Sequence, residues 1–452
     1  MEAVAPAEEA VEVPEPVPCP PASPDSDQKE KASDSVSDVR AKLIGLGKIF
    51  RDEQLADPFL LTWAAVALAK TVGWLRRGHA LRTAKRTSWA LKQRAFEPVK
   101  ASAGVDGTHA MTIVTYNILA DKYCMSRKHD YCPVRARQWP RRLEKLKIEL
   151  LGYDADILCL QEVDRAAFFG DLGRFLKRRG YKGVYLQRAP APLAGPHEGC
   201  AIFYKERALE LEEVECKRLS DVLPAEEDNP KASNHTFWQQ MYSLPDGVII
   251  ALMRHKASGK RLVCANTHLH WDPNFPHVKA MQASLVCQAI QEFRRSKGAE
   301  GCPVALCGDL NSLWRKFKSD AFDMVPPGGF RESGVFQLLS MGQLTRHHGE
   351  HPGARGWDNS LGALSAHGLS MESMWVARNG RGAPPVTTRT RDFAGGIDYI
   401  FISRGDFKVL STLSMPYEQE REIDPENVDF ESIPSGTWPS DHLAMACRVV
   451  ME

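Results

Sequence analysis

Four short apolar runs in this chain stop on side chains that a sheet interior would exclude: TIVTYN ends at Asn117, DILCLQE at Glu162, LVCANTH at His268, and VALCGDLN at Asp309 and Asn311. An apolar run without polar alternation reads as a strand buried on both faces. Polar groups at the ends of several such strands converge on one rim, where a rigid sheet gives way to variable loops. After Gly107 eight runs read as strands, at 111–116, 156–160, 200–204, 248–253, 261–265, 303–307, 397–402 and 444–450. Helical spacing of apolar residues predicts helices over 135–151, 165–179 and 277–295. This succession, with no internal repeat and Gly/Pro turns between runs, predicts a mixed α/β domain. Two further polar motifs stand near the C-terminus, Asp398 opening GIDYIFIS and the pair Asp441-His442 in WPSDHLA.

The chain has 452 residues, 43% of them hydrophobic, which suits one large domain with appendages or two domains. Lys and Arg total 58 against 57 Asp and Glu, so a polyanion must be met by a local patch; Arg165, Lys205, Lys279 and Arg391 supply one only if the fold gathers them. The 11 cysteines form no C-x-x-C pair or zinc spacing. Cys159, Cys264 and Cys307 lie inside apolar runs, which suits free thiols in a reducing compartment.

Residues 1–40 are acidic and rich in Pro and Ala, a composition that predicts a disordered tail, and the acidic start is unlike a secretory or transit leader. The expected location is the cytoplasm, with the nucleus as the alternative. Residues 41–107 are expected to form a helical basic segment. Its apolar run, 59–69, is followed by Lys70, Arg76, Arg77, Arg82, Lys85, Arg86, Lys92 and Arg94. The run is shorter than the ~20 residues a membrane span needs. Residues 58–94 are therefore expected to pack on the main domain or a protein partner first, and on a membrane surface second. Residues 108–452 form the expected catalytic domain.

The strand-end set holds four acids, two amides and two histidines. Hard oxygen donors of this kind suit Mg²⁺ or Mn²⁺, ions that bind through a few carboxylates and assist phosphoester hydrolysis. The Asp-x-Asn spacing of Asp309 and Asn311 puts both side chains on one face of an extended backbone. Singly, each motif has a plainer reading: Asn117 as a turn residue, Glu162 as a helix-start acid, Asp309 and Asn311 as an Asx turn. His268 and His270 also read as surface histidines or a metal pair. The order of six motifs, each abutting a predicted strand, favours the joint reading.

In that order, YN, LQEV, NTHLH, GDLNS, IDYIF and SDHL resemble the endonuclease/exonuclease/phosphatase superfamily. YNILADKY, DYCP, EGCAIFYK, HLHWDP and FAGGIDYIF narrow the resemblance to the carbon catabolite repressor class of poly(A)-shortening exonucleases, with nocturnin, Angel and the 2',5'-phosphodiesterases as kin. It covers residue 108 onward. The resemblance implies a deoxyribonuclease-I-like four-layer α/β sandwich of two packed mixed sheets flanked by helices. It implies Glu162 as principal Mg²⁺ ligand, with Asn117 and Asp309 beside it and Asp309 activating water. Asn311, His268 and His442 would contact the scissile phosphate, Asp441 would orient His442 or ligate metal, and Asp398 would support the imidazole. Phe393 and Pro273 match residues that sandwich a terminal purine. The implied substrate is RNA with 3' poly(A), cleaved to 5'-AMP with Mg²⁺, for which Mn²⁺ substitutes. Two departures stand out: the class's leucine-rich repeats for docking to a deadenylase scaffold are missing, and TTRTRD before Phe393 carries Arg389 and Arg391, apt phosphate clamps. These arginines motivate the alternatives of an NADP(H) 2'-phosphatase or a 2',5'-oligoadenylate phosphodiesterase. A catalytically silent RNA-binding scaffold is the third reading, to which the intact set of acids and amides runs counter.

Overall fold

The computed structural model describes residues 94–102, 104–188, 197–225, 228–229, 236–417 and 424–452. The tail 1–40 and the apolar run 59–69 lie outside the described residues. Thirteen strands in chain order make two sheets: β1 (Phe96–Pro98), β2 (Met111–Asn117), β3 (Ile157–Asp164), β4 (Tyr181–Gln187), β5 (Glu198–Lys205), β6 (Leu209–Arg218), β7 (Gly247–His255), β8 (Arg261–His268), β9 (Val304–Asp309), β10 (Met371–Ser373), β11 (Asp398–Ser403), β12 (Phe407–Leu413) and β13 (Met445–Met451). The first sheet runs β1-β12-β13-β2-β3-β5-β4 and the second β10-β11-β9-β8-β7-β6. Each holds one parallel pair, β2 with β3 and β8 with β9.

Residues of one parity along these strands meet between the sheets: Ile113, Ile157 and Ile202 from the first pack with Ile249, Leu262 and Ala305 from the second. The other parity of the first sheet, Val114, Leu158 and Leu160, packs under α1 (Trp139–Tyr153), α2 (Arg165–Phe169) and α3 (Asp171–Lys177). The opposite face of the second sheet packs under α4 (Thr236–Ser243), α5 (Pro276–Ser296) and α6 (Gly334–Met341). Burial on both faces explains why these strands read as unbroken apolar runs. The result is the four-layer α/β sandwich of two mixed sheets that the resemblance implies.

All eight predicted runs are strands. The sequence pattern misses β1, β4, β6, β10 and β12, four of which lie at sheet edges. The edge strand β6, LELEEVECKR, exposes its acidic positions in part and so lacks an apolar run. Two helices break where one was expected. Pro140 lies in the first turn of α1, where its missing N–H and the clash of its ring with the carbonyl four residues back stop a helix from running through from the turn Val134–Arg137, and the chain breaks at the extended Gln138. Gly170 separates α2 from α3, and a Cβ there would lie 2.2 Å from the Ala166 carbonyl oxygen.

The packed domain begins before residue 108. Arg94, the last residue of the basic stretch, is buried and not part of a free basic surface: its guanidinium donates to the carbonyls of Ser414 (2.8 Å) and Ala444 (2.6 Å). Residues 96–98 then pair with β12 as an edge strand instead of continuing a helix, too short for any periodicity to show and with Pro98 tolerated at the edge. Among the described residues no cysteine is in a disulfide, and no helix is long and apolar enough to cross a membrane.

An amide network crosses the apolar centre, beside the contact between the Cys159 and Cys264 thiols (3.6 Å). Asn266 of β8 accepts from the Gln161 amide (2.7 Å) and donates to the carbonyls of Leu160 (3.0 Å) and Ala201 (2.9 Å). Leu160 is where the β3–β5 register shifts, resuming at Val163. The bulge leaves ladder carbonyls open, and the Asn266 amide fills them. Replacing Asn266 with Ala takes the side-chain donor from the Leu160 and Ala201 carbonyls at the sheet interface, while the Gln161 amide keeps Thr115 and the Cys159 carbonyl as acceptors. Urea unfolding is expected to show a loss of about 2–4 kcal/mol, and an unchanged midpoint would contradict this role.

Candidate active site

The topology brings the polar strand ends together. Parallel strands end at the same rim, so Asn117 pairs in register with Gln161, next to Glu162, and His268 pairs with Asp309. An antiparallel neighbour starts where its partner ends, so β11 opens with Asp398 opposite Asp309. By the same logic β13 runs antiparallel to β2, and the residues before it reach Asn117, whose carbonyl accepts from the Ser440 hydroxyl (2.7 Å).

At the centre the Asn117 amide donates both to Glu162 Oε1 (3.1 Å) and to Asp309 Oδ2 (3.0 Å). The second Glu162 oxygen accepts from the Ala120 N–H (2.9 Å). Asp309 Oδ1 accepts from the Asn311 N–H (2.9 Å), and its Oδ2 lies 3.5 Å from His268 Nε2 and 3.7 Å from His442 Nε2. His442 Nδ1 contacts Asp398 Oδ2 at 2.9 Å, an oxygen that also accepts from the Thr387 hydroxyl (2.6 Å). Glu162 and Asn311 both adopt positive φ, +53° and +48°. Backbone strain of ~1–3 kcal/mol at such residues persists only where surrounding contacts hold it.

Burial pushes the Glu162 carboxyl up to about 7, and the nearby carboxylates of Asp441 and Glu198 add to the effect. Burial also pushes His268 down to about 4, against the pull of Asp309. For His442 burial is outweighed by Asp398, Asp309 and Asp441, which raise it well above the usual imidazole range. Burial works to raise Asp441, but His129 and His442 more than offset it and the carboxyl titrates below its ordinary value. Two hard-oxygen carboxylates sharing one amide, with a third at 4.0 Å from His442, fit a divalent cation. Donor atoms of Asp309, Asp398 and His442 also lie within 4.8 Å of one another, but that closeness reflects the Asp398–His442 hydrogen bond. Glu162 and Asp309 bring hard-oxygen donors to either side of the Asn117 NH2 group, and the Asn117 Oδ1 accepts from the Leu119 N–H (3.0 Å).

The remaining expected residues divide. Phe393 (44% exposed) tips a hairpin whose strand Thr388–Arg389 pairs with Ala394–Gly395 and whose Thr388 bridges to His442. Pro273 is exposed in the loop after His268. The arginines expected to clamp phosphate are otherwise engaged: Arg389 donates to the Pro425 carbonyl (3.2 Å), and Arg391 pairs with Asp130 (2.8 Å) and Asp392 (3.4 Å). Lys205 pairs with Asp154 and Asp156 beside the start of β3, at the opposite rim. Lys279 does reach the site, donating to the Asn311 carbonyl (2.7 Å).

Sequence reading missed two supports. His129, just before the quoted DYCP, places Nε2 3.1 Å from Asp441 and Nδ1 3.1 Å from the Tyr123 carbonyl. Arg142, fully buried in α1, donates to the carbonyls of Ile118 (3.0 Å), Leu119 (2.6 Å) and Pro439 (3.0 Å), clamping the loop after Asn117 to the loop before Asp441. An arginine on a predicted helix gives no sign of this in the sequence.

Known proteins resemble this chain in sequence and in fold. The model of the endonuclease/exonuclease/phosphatase family matches residues 114–442. The chain is similar to the CCR4-Not complex 3'-5'-exoribonuclease subunit Ccr4 of Yarrowia lipolytica, 29% identical over 361 residues, covering 74% of this chain and 47% of the relative. The same subunit of Saccharomyces cerevisiae is 28% identical over 355 residues, covering 75% and 38%. The chain spans about half the length of such relatives, or less. Among solved structures, the 2',3'-cyclic phosphatase ANGEL2 superposes with a TM-score of 0.58 at 22% identity, over 79% of this chain and 98% of that one. The human nocturnin catalytic domain gives 0.51 at 20% identity, over 80% and 99%. At such identities the likeness is one of fold.

For a cation held by Glu162, the raised carboxyl would make affinity depend on pH. A bound cation must displace its proton, so Mg²⁺ affinity is expected to weaken roughly tenfold per pH unit below about 7. In the metal-free protein the sign is opposite: the folded state holds this proton more tightly than the unfolded chain, so this group favours folding as pH falls from about 7 toward the ordinary 4.5. Calorimetric titration with Mg²⁺ at about pH 8 and about pH 6 checks the first. Equal affinities at both, with Glu162→Gln no flatter than wild type, would count against it.

Proposed function

This chain belongs to the endonuclease/exonuclease/phosphatase family, and from that premise we propose that it is a Mg²⁺-dependent 3'-5' exoribonuclease that shortens poly(A) tracts and releases 5'-AMP. The observation that carries the reading is the single Asn117 amide shared by Glu162 and Asp309, with His268 and His442 both facing the same Asp309 oxygen. Glu162, Asn117 and Asp309 would hold Mg²⁺, or Mn²⁺ in its place, and the bound ion would neutralise charge on the phosphoryl oxygens and lower the pKa of water. Asp309 accepts the proton of the attacking water. Asn311, His268 and His442 hold the non-bridging oxygens, and Asp398 keeps the His442 ring oriented and charged, a fixed positive group where negative charge develops. Arg142 and His129 fix the two loops that carry Asn117 and Asp441.

The 3'-5' exoribonuclease activity is supported by the names of the curated relatives, and a terminal base is received by the exposed Phe393 on the hairpin that bridges to His442. The readings as NADP(H) 2'-phosphatase or 2',5'-phosphodiesterase drew on Arg389 and Arg391, whose guanidiniums already have partners. The proposed partners are RNA with a 3' poly(A) end and, through residues 58–94, a protein; the proposed location is the cytoplasm.

Removing a ligand of the ion should cost several kcal/mol of transition-state stabilisation, so Glu162→Ala and Asp309→Ala are each expected to lower kcat/KM by about a thousandfold or more. The assay follows 5'-labelled RNA with a 3' oligo(A) tract, with EDTA as control and NADPH and 2',5'-oligoadenylate in parallel. A stepwise ladder ending where the adenosines end is the expected result. Full activity in either variant, or turnover of the small nucleotides alone, would overturn the proposal.

A further inference from the structure

Trp271 is 54% exposed, although it lies only three residues after His268 and two before Pro273. The Lys128 ammonium stands over its ring, 4.7 Å from the centroid. The two residues come from opposite halves of the fold. Lys128 follows β2 of the first sheet, and Trp271 follows β8 of the second, so the pair spans the seam between the loops that form the mouth of the site.

The Lys128 loop is held in place by its neighbours. His129 is buried against Asp441 (3.1 Å) on one side, and Asp130 pairs with Arg391 (2.8 Å), two residues from Phe393, on the other. The lysine–indole contact is therefore not needed to fasten the loop. It brings an exposed aromatic ring and an exposed cation together on the loops after β2 and β8, whose strands end at Asn117 and His268. Base stacking on an aromatic face and a cation on the backbone are together what single-stranded nucleic acid requires.

We propose that Lys128 and Trp271 form a subsite for a second nucleotide, upstream of the terminal one that Phe393 and Pro273 receive: the indole stacks on its base and the ammonium pairs with its phosphate. The inference rests on the nuclease reading and deepens it, since a subsite beyond the scissile bond selects a polynucleotide over a mononucleotide or a free dinucleotide cofactor.

The test compares two substrates on the full chain. An octa-adenylate fills the second subsite, whereas the p-nitrophenyl ester of adenosine 5'-monophosphate offers the terminal nucleotide and a cleavable bond with no second base. Trp271→Ala is expected to raise KM for the octa-adenylate roughly tenfold relative to that for the ester, the scale of one lost base stack, with kcat moving less and Trp271→Phe restoring most of the difference. Lys128→Ala is expected to lower the salt dependence of octa-adenylate binding by about one ion. A parallel rise in both KM values, or no rise in either, overturns the subsite. If the wild-type protein cleaves neither substrate the nuclease reading falls instead, and equilibrium binding of labelled octa-adenylate in EDTA decides the subsite separately. Binding weakened about tenfold by Trp271→Ala supports it, and unchanged binding overturns it.

Discussion

The structure turns on one carboxamide. Asn266 projects from the second sheet into the first and satisfies the carbonyls that open where β3 departs from regular pairing with β5. Without a donor there, the bulge would leave unpaired backbone oxygens at the driest plane of the molecule, a cost that regular pairing would avoid. With the donor in place the chain can bulge, and the bulge is what lets Glu162 take a positive φ and present its carboxyl beside Asn117. The same residue ties the sheets together through Gln161. Fold stability and site geometry thus share a support, and a defect at the sheet interface reaches the catalytic rim one residue away.

Above that support, the site concentrates negative charge in a poorly hydrated place. Glu162, Asp309, Asp398 and Asp441 meet there beside the imidazoles of His129, His268 and His442, and the consequence is visible in opposite displacements: Glu162 is pushed toward the proton and His442 holds its own firmly. Such an arrangement costs folding free energy unless a cation completes it. The buried Asp398 illustrates the other half of the design. Its Oδ2 is fully engaged by Thr387 and His442, so it acts on the site through the imidazole it orients.

The strands and the site were legible to different depths. Strands buried on both faces announce themselves as apolar runs, and because the polar residues that end them lie on parallel pairs and their antiparallel neighbours, Asn117, Glu162, His268, Asp309 and Asp398 could be read directly. Edge strands such as β6 could not, since a half-solvated strand of alternating Glu and apolar residues carries no comparable signal. Arg142 was illegible for another reason: its role depends on carbonyls from segments about 20 and 300 residues away, which no local pattern encodes. Arg389 and Arg391 show the converse. Their residue type suggested phosphate, but three-dimensional neighbours, the Pro425 carbonyl and Asp130, had already engaged them.

The proposed cation site is built on Glu162, where strand ends from both sheets meet. Anomalous diffraction from crystals of the full chain soaked in Mn²⁺ tests it most directly. A single strong peak is expected, bound by the Glu162 carboxylate, with Asn117 and Asp309 beside it. A peak seated instead on Asp398 and His442 with Glu162 unliganded, or no peak at this rim at all, would contradict it.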